Sequence, residues 1–230
     1  MDRDVKGMRI AWAGNWNGYL SMEEGILPLC ERALDTFTAL GCEVDAKVPD
    51  FDPTQLWQCW LTLRHWGIAG SLGALYSDPA KRDGLKPEAR WEVEGGLALS
   101  AMDVHKANVI RSAWYEYLRT MFEHYDYLAL PTAQVFPFAA ELDWPTDIAG
   151  RSMDTYHRWM EVVIPGLLSG CPVISVPAGF NDIGLPMGIQ LIGRHQADLE
   201  VLQIARAYEQ ASGDILKRLP PSLIGTPLRR

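Results

Sequence analysis

The chain is 230 residues long, 48% hydrophobic and 22% charged, enough to bury one sizeable core, and it reads as a single domain. It holds no apolar run of about 18 residues such as a membrane-crossing helix needs, and its start, MDRDVKGMR, has no apolar leader, so a soluble cytoplasmic protein with no membrane partner is expected. The 29 acidic residues against 21 basic give a formal charge of −8, a field that repels phosphate backbones, so nucleic acid is not an expected partner.

Met8 to Ala13 is a short apolar run closed by Gly14-Asn15, which predicts a buried strand. Ser21 followed by Glu23 and Glu24 predicts a helix start, and Ile26, Leu29, Ala33, Leu34, Phe37 and Leu40 recur at helical spacing up to Gly41. Cys42 to Val48 reads as a second strand, so strand, helix and strand form the ingredients of a parallel crossover. An apolar helical region interrupted by glycines follows from about Leu56 to Leu75, then a polar loop through Asp78-Pro79 and Lys86-Pro87. A third helix is predicted from about Met102 to Tyr125, with Val104, Ala107, Val109, Ala113, Tyr117, Leu118 and Met121 as its apolar stripe.

Tyr127 to Leu130 is too short for a helix and reads as a buried strand ending at Pro131. The stretch from Thr132 to Arg151 is a long Pro-containing loop, a kind that is often functional. Asp154 to Ser169 reads as a helix interrupted at Pro165, and Pro172–Pro177 and Met187–Gly193 as two strands about the turn-prone Asn181 to Gly184, able to pair as a hairpin. A last helix from about Asp198 to Gln210 carries Leu199, Leu202, Ala205 and Tyr208 on one side, and residues 212–230 read as an irregular tail.

Cys30, Cys42, Cys59 and Cys171 include no CxxC pair and the five histidines are scattered, so no metal-ligand spacing is present; reduced, buried thiols are the expectation. Trp57, Trp60 and Trp66 fall on one broad helical face, for which packing is a simpler reading than a binding platform.

The stretch Gly166 to Phe180, GLLSGCPVISVPAGF, followed by Gly184 to Gly193, GLPMGIQLIG, closely resembles the terminal block of the amidase signature family. Tyr125 to Thr132 resembles the family strand ending in Pro-Thr, Glu94 to Asp103 its preceding helix start, and Val5 to Ala11 a segment near the middle of a full enzyme. The resemblance covers almost the whole chain. It implies an α/β fold built on a mixed, twisted β-sheet flanked by helices, and hydrolysis of a carboxamide by a Ser-Ser-Lys triad without cofactor or metal.

The family's nucleophile lies in a Gly- and Ser-rich segment preceding the part resembled here. This chain has no Ser-Ser dipeptide and one Gly-Gly, at Gly95-Gly96, and its six lysines sit in polar contexts, so no catalytic residue carries over and the chain alone is expected to be inactive. A homodimer, or the missing amino-terminal half, is the expected partner, with a small-molecule amide as substrate. The resemblance places Thr132, Gln134 and Phe136 of the loop, and Trp159, Val163 and Leu167 of the following helix, where the family lines its substrate site. The last three are also spaced as plain core. In the glutamine-using amidotransferase branch an acidic residue is expected before Ile-Pro and an Asn after it; Met160 and Leu167 occupy that neighbourhood, which points to a less polar amide.

Two rival readings stand beside this one. Ala69-Gly-Ser71-Leu-Gly73 approximates a nucleophile elbow, with Asp147 and His195 following in the order of an α/β-hydrolase-type esterase, although small residues there also allow two helices to pack closely. The chain could instead be a non-catalytic binding module, or a partner polypeptide completing an active site in trans.

Overall fold

The computed structural model describes residues 2–218. Its elements in chain order are β1 (Arg9–Trp12), α1 (Ile26–Ala39), β2 (Glu43–Ala46), α2 (Pro53–Ser77), α3 (Pro79–Arg82), α4 (Pro87–Leu97), α5 (Ala101–Met121) and β3 (Tyr127–Pro131). After these come β4 (Asp147–Ile148), β5 (Arg151–Ser152), a 3₁₀ turn (Arg158–Val163), α6 (Ile164–Ser169), β6 (Val173–Phe180), β7 (Pro186–Ile192) and α7 (Asp198–Ala211).

Five strands form one mixed sheet in the order β2-β1-β3-β7-β6. β1 runs parallel to both β2 and β3, as the crossover through α1 requires, while β3–β7 and β7–β6 are antiparallel, the latter pair being the expected hairpin. Because side chains alternate along a strand, Ile174, Val176, Ile189 and Leu191 face one side and Ser175, Gly188 and Gln190 the other. α1 and α7 cover the first side, where Phe37 stacks on Tyr208 at 4.7 Å and Tyr208 Oη donates to the Pro177 carbonyl at 2.7 Å. The second side is covered only in part, by α6 and the 3₁₀ turn: a Cβ on Gly166 would lie 3.2 Å from Gln190 Oε1 and 3.3 Å from Val173 Cγ2, so glycine lets α6 sit close on the strands. Behind α6 stand α5 and α2, with Trp114 of α5 donating its indole N–H to the Pro165 carbonyl at 2.9 Å.

Several elements differ from the sequence expectation, each for a local reason. The helix after β1 starts at Ile26, not Ser21, because Gly25 takes a left-handed φ of 90° and Glu23 is engaged elsewhere; its end does fall just before Gly41, at φ 87°. α2 is one 25-residue helix capped by Asp52, which its glycines do not break. Helical α3 and α4 replace most of the expected polar loop, each with proline in its first turn, where the missing N–H costs nothing. α5 begins at a capping box in which Ser100 and Asp103 satisfy each other's backbone, and it ends at Met121 rather than Tyr125. Its buried side is Ala107, Trp114, Leu118 and Met121, while Val109 of the expected stripe is exposed. Pro165 opens α6 rather than interrupting a longer helix. On α7 the buried residues are Val201, Ile204, Ala205 and Tyr208, with Leu199 and Leu202 turned outward.

Trp57 and Trp60 are buried and stacked at 5.8 Å, whereas Trp66 is exposed. A Cβ on Gly70 or Gly73 would meet nothing, so helices do not pack at those glycines. The close approach is instead between α4 and α2, where a Cβ on Gly95 would collide with the His65 ring and one on Gly96 with the His65 carbonyl. All four cysteines are unpaired, Cys30, Cys42 and Cys59 being buried and Cys171 half-buried. Within the expected tail, residues 213–217 form a 3₁₀ turn, and residues 219–230 lie outside the described residues.

Candidate substrate pocket

The uncovered part of the sheet's second side is a cavity of about 350 Å³ lined by Thr132, Ala133, Val135, Phe136, Pro137, Phe138, Trp159, Pro186, Met187 and Gly188. Its wall carries no charged side chain, so it favours an apolar, uncharged guest over an ionised one, which would lose its hydration without a partner.

The partner of the Thr132 hydroxyl in this wall is set by strand register. Thr132, one residue past β3, and Ser175 of β6 face each other across β7 with their hydroxyl oxygens 3.0 Å apart. A Cβ on Gly188, between them, would come within 2.8 Å of Thr132 Oγ1 and 2.9 Å of Ser175 Oγ, so only glycine lets the two hydroxyls meet. Gly188 also passes its carbonyl to the Thr132 N–H at 2.9 Å.

The loop from Thr132 to Phe138 is shaped from behind. Gln134 is 1% exposed, and its Nε2 donates to the Ser21 carbonyl at 2.9 Å while its Oε1 accepts from the Val162 N–H at 3.0 Å. Glu23 completes the bracket: its N–H donates to the Gln134 carbonyl and its carboxylate accepts from the Phe136 N–H at 2.8 Å. This is why Ser21 to Glu24 do not start α1. Trp159, on the 3₁₀ turn, rests on a small cluster of Val135, Ile148 and Met153 and meets the edge of Phe138 at 5.4 Å.

Of the six residues singled out from the sequence, Thr132, Phe136 and Trp159 thus share one cavity. Gln134 lies behind its wall. Val163 packs against the main core, and Leu167, at 61% exposure, projects from α6 away from the cavity. Sequence reasoning passes over Ser175, Gly188, Met187 and Phe138. The first three stand in the quoted ISVP and GLPMG motifs, and counting alternation back from the hairpin would have put Ser175 and Gly188 on the face of Thr132.

The 3₁₀ turn is held by charge as well as packing. Arg158 takes Asp154 with two nitrogens at 2.8 and 2.9 Å, reaches Glu161 at 3.1 Å, and lies 3.7 Å above the Trp57 ring. Tyr19 Oη donates to Glu161 at 2.7 Å; burial and the neighbouring carboxylate push that phenol well above its usual range, so it stays a donor. Glu161, directly after Met160, is therefore an acidic residue before Ile164-Pro165, but a buried one already paired with Arg158.

The three residues of the esterase reading are not joined. Ser71 lies within α2 with its Oγ bonded to the Gly67 carbonyl, Asp147 accepts from the Gly150 N–H, and His195 Nδ1 is 3.1 Å from the Gly170 carbonyl. No strand-to-helix elbow surrounds Ser71. Among the described residues no cluster of three or more His, Cys, Asp or Glu could hold a metal ion, and no helix is long and apolar enough to cross a membrane.

Comparison with known proteins agrees with this architecture. An acylamidase of Rhodococcus erythropolis is 29% identical over 210 residues, covering 90% of this chain and 43% of that protein. A glutamyl-tRNA(Gln) amidotransferase chain of Symbiobacterium thermophilum is 32% identical over 200 residues, covering 84% and 38%. The crystal structure of a bacterial aryl acylamidase of the amidase signature family superposes with a TM-score of 0.81 at 26% identity, covering 94% of this chain and 47% of that one. The chain spans under half the length of each of these relatives. Since the sequence profile of the Amidase family matches residues 2–202, the chain belongs to the amidase signature family.

Proposed function

We propose that this chain forms the substrate-binding side of an amide-hydrolysing active site, holding the apolar group of an uncharged amide in the cavity between Thr132 and Trp159. The observation that carries the reading is that cavity's wholly uncharged wall on a sheet face left partly open. A bound glutamine would set its α-ammonium and α-carboxylate against Phe136, Phe138 and Met187 with no opposite charge, so an acyl or aryl amide suits the wall better than an amidotransferase substrate.

In this reading the nucleophile, base and oxyanion donors come from family segments outside this chain. Neutral serine attacks a carboxamide only with a base in hydrogen-bond reach and donors aimed at the developing oxyanion. All six lysines are exposed and none lines the cavity; burial keeps Cys30 protonated, with its thiol raised to about 12. Two further features support completion by another polypeptide segment. Among the described residues β6 is the last strand of its sheet, and Leu167 and Val173 beside it, with Leu199 and Leu202 of α7, are exposed apolar residues. The occupant of that edge is the amino-terminal half of the domain or a second copy of this chain.

The test is an amide-hydrolysis panel with a serine-directed covalent probe, run on the 230-residue chain and on the chain joined to the polypeptide encoded upstream in its reading frame. Hydrolysis and labelling confined to the joined form are expected. Labelling of the short chain by itself would place the nucleophile among these residues and overturn the assignment.

A further inference from the structure

A second cluster of ionisable groups, none of which lines the cavity, gathers at the start of the 3₁₀ turn. Glu92 of α4 is 4% exposed and is approached by Arg64 of α2, Nε to Oε1 at 2.7 Å, and by His157, Nε2 to Oε1 at 2.8 Å. His157 is 2% exposed and is boxed by aromatic rings: Tyr156 at 4.6 Å, Trp60 at 5.0 Å and Trp91 at 6.2 Å. Its Nε2 makes a short contact with Glu92 without the alignment of a hydrogen bond, and its Nδ1 has no hydrogen-bond partner. His65, next to Arg64, meets Trp91 edge-on at 4.5 Å and leaves its own Nε2 without a partner. Nothing in the proposed chemistry uses these groups.

Their place in the chain gives them a use. His157 is the residue from which the 3₁₀ turn starts, and its carbonyl accepts the Met160 N–H at 3.0 Å. Trp159 is two residues on, across the turn. The Trp159 indole N–H is buried without a hydrogen-bond partner, so no polar tether of its own fixes the ring. Its position follows the backbone of the turn, whose Met160 departs from helical geometry at φ −112° and ψ 16°. The far end of the turn is fixed by Gln134 and Gln190 through Val162. The near end is fixed by Arg158 on Trp57 and by His157 on Glu92.

We propose that Glu92 and His157 are positioning residues: their buried contact fastens the α2–α4 helix pair to the start of the 3₁₀ turn and thereby sets where Trp159 stands in the substrate cavity. The inference rests on the reading that this cavity holds the amide's apolar group. A buried carboxylate held by a buried imidazole and a half-exposed guanidinium makes a stiff joint, because moving either partner away leaves the Glu92 carboxylate short of a partner in a poorly solvated site.

The experiment uses the full chain labelled with 5-fluorotryptophan, the Trp159 and Trp114 resonances being assigned with Trp159→Phe and Trp114→Phe. Glu92→Gln, His157→Gln and the double variant are compared by ¹⁹F NMR and by titration with acetanilide. Either single variant is expected to displace or broaden the Trp159 signal while Trp114, in the core, holds its place, and to weaken acetanilide about 2- to 30-fold, the span of a coupling carried between packed groups. The double variant is expected to move Trp159 no further than the stronger single one, since both remove one contact. A Trp159 signal that moves no more than Trp114 in both single variants, or shifts that simply add, overturns the inference. If Glu92→Gln does not fold, His157→Gln is judged by the same two signals. Failure of the pocket reading looks different: acetanilide then leaves the wild-type Trp159 resonance unmoved, whatever the variants do to it.

Discussion

Gln134 and Gln190 hold the two backbone groups of a single residue. Gln134 Oε1 accepts from the Val162 N–H at 3.0 Å, and Gln190 Nε2 donates to the Val162 carbonyl at 3.0 Å and to the Pro131 carbonyl at 2.9 Å. Both side chains are buried, so the cavity loop, strand β7 and the 3₁₀ turn are joined where water cannot substitute. Replacing Gln134 with Leu keeps the volume but strands the Val162 N–H and the Ser21 carbonyl. A loss of about 2–3 kcal/mol in urea unfolding is expected, since each buried group left unpaired costs on the order of 1–3 kcal/mol. A loss below about 0.5 kcal/mol would mean that the turn is held without this bridge.

The strands are the most legible part of the fold, and the connections the least. β1, β2, β3 and the β6–β7 hairpin follow from short apolar runs ended by Gly, Pro or Asn, signals that lie within the run itself. The start of α1 is misread because Ser21, Glu23 and Glu24 look like a cap in isolation, while Glu23 is committed to Gln134 and Phe136, over 100 residues away in sequence. α4 is hidden because its buried side is only Glu92 and Val93; a helix whose inward face is a carboxylate gives no apolar period to read. The residues the resemblance singles out divide in the same way: Thr132, Phe136 and Trp159 share one cavity, while Val163 packs against the core and Leu167 is exposed, because the chain there runs as a 3₁₀ turn before α6 and not as one helix.

Gly188→Ala puts a methyl group between Thr132 Oγ1 and Ser175 Oγ, both within 3.0 Å of where it would sit. The hydroxyls must part, or the strands must move. Overpacking of this kind costs about 1–3 kcal/mol, and the variant is expected to unfold at correspondingly lower urea. Adding Ser175→Ala to it should recover part of that loss, because it removes one of the two crowded atoms; no recovery would place the strain in the backbone.

Trp159 and Leu167, both chosen from the sequence as pocket residues, should separate cleanly. In the form joined to the upstream polypeptide, Trp159→Ala removes a cavity wall and, on the proposed function, is expected to raise KM for an anilide substrate roughly 30-fold, the equivalent of about 2 kcal/mol for losing an aromatic anchor. Leu167→Ala, on the outer side of α6, should change KM by less than about twofold. Equal effects of the two would contradict the cavity assignment.

Ser71→Ala tests the esterase alternative directly. Ser71 is exposed on α2 and its hydroxyl bonds back to the Gly67 carbonyl, a contact that does little for a helix. Stability within about 0.5 kcal/mol of wild type is expected, with covalent labelling of the form joined to the upstream polypeptide unchanged. Loss of labelling with retained stability would make Ser71 a candidate nucleophile again.

Acid should weaken the fold in two separable stages. Burial holds His65 below its ordinary value of 6.5, so the unfolded chain takes up the proton first as pH falls, and stability declines from about pH 7 downward. Burial alone would raise Glu92, but the contacts with His157 and Arg64 outweigh it and keep the carboxyl below its ordinary 4.5. Its contribution is therefore present above that value and is lost as pH falls through the lower, folded one. Urea unfolding at stepped pH should show His65→Asn flattening the decline between about pH 7 and 5 while leaving the acid stage, and Glu92→Gln doing the reverse. A Glu92→Gln variant that loses stability below about pH 4.5 as steeply as wild type would show that the carboxylate between Arg64 and His157 is not what acid discharges.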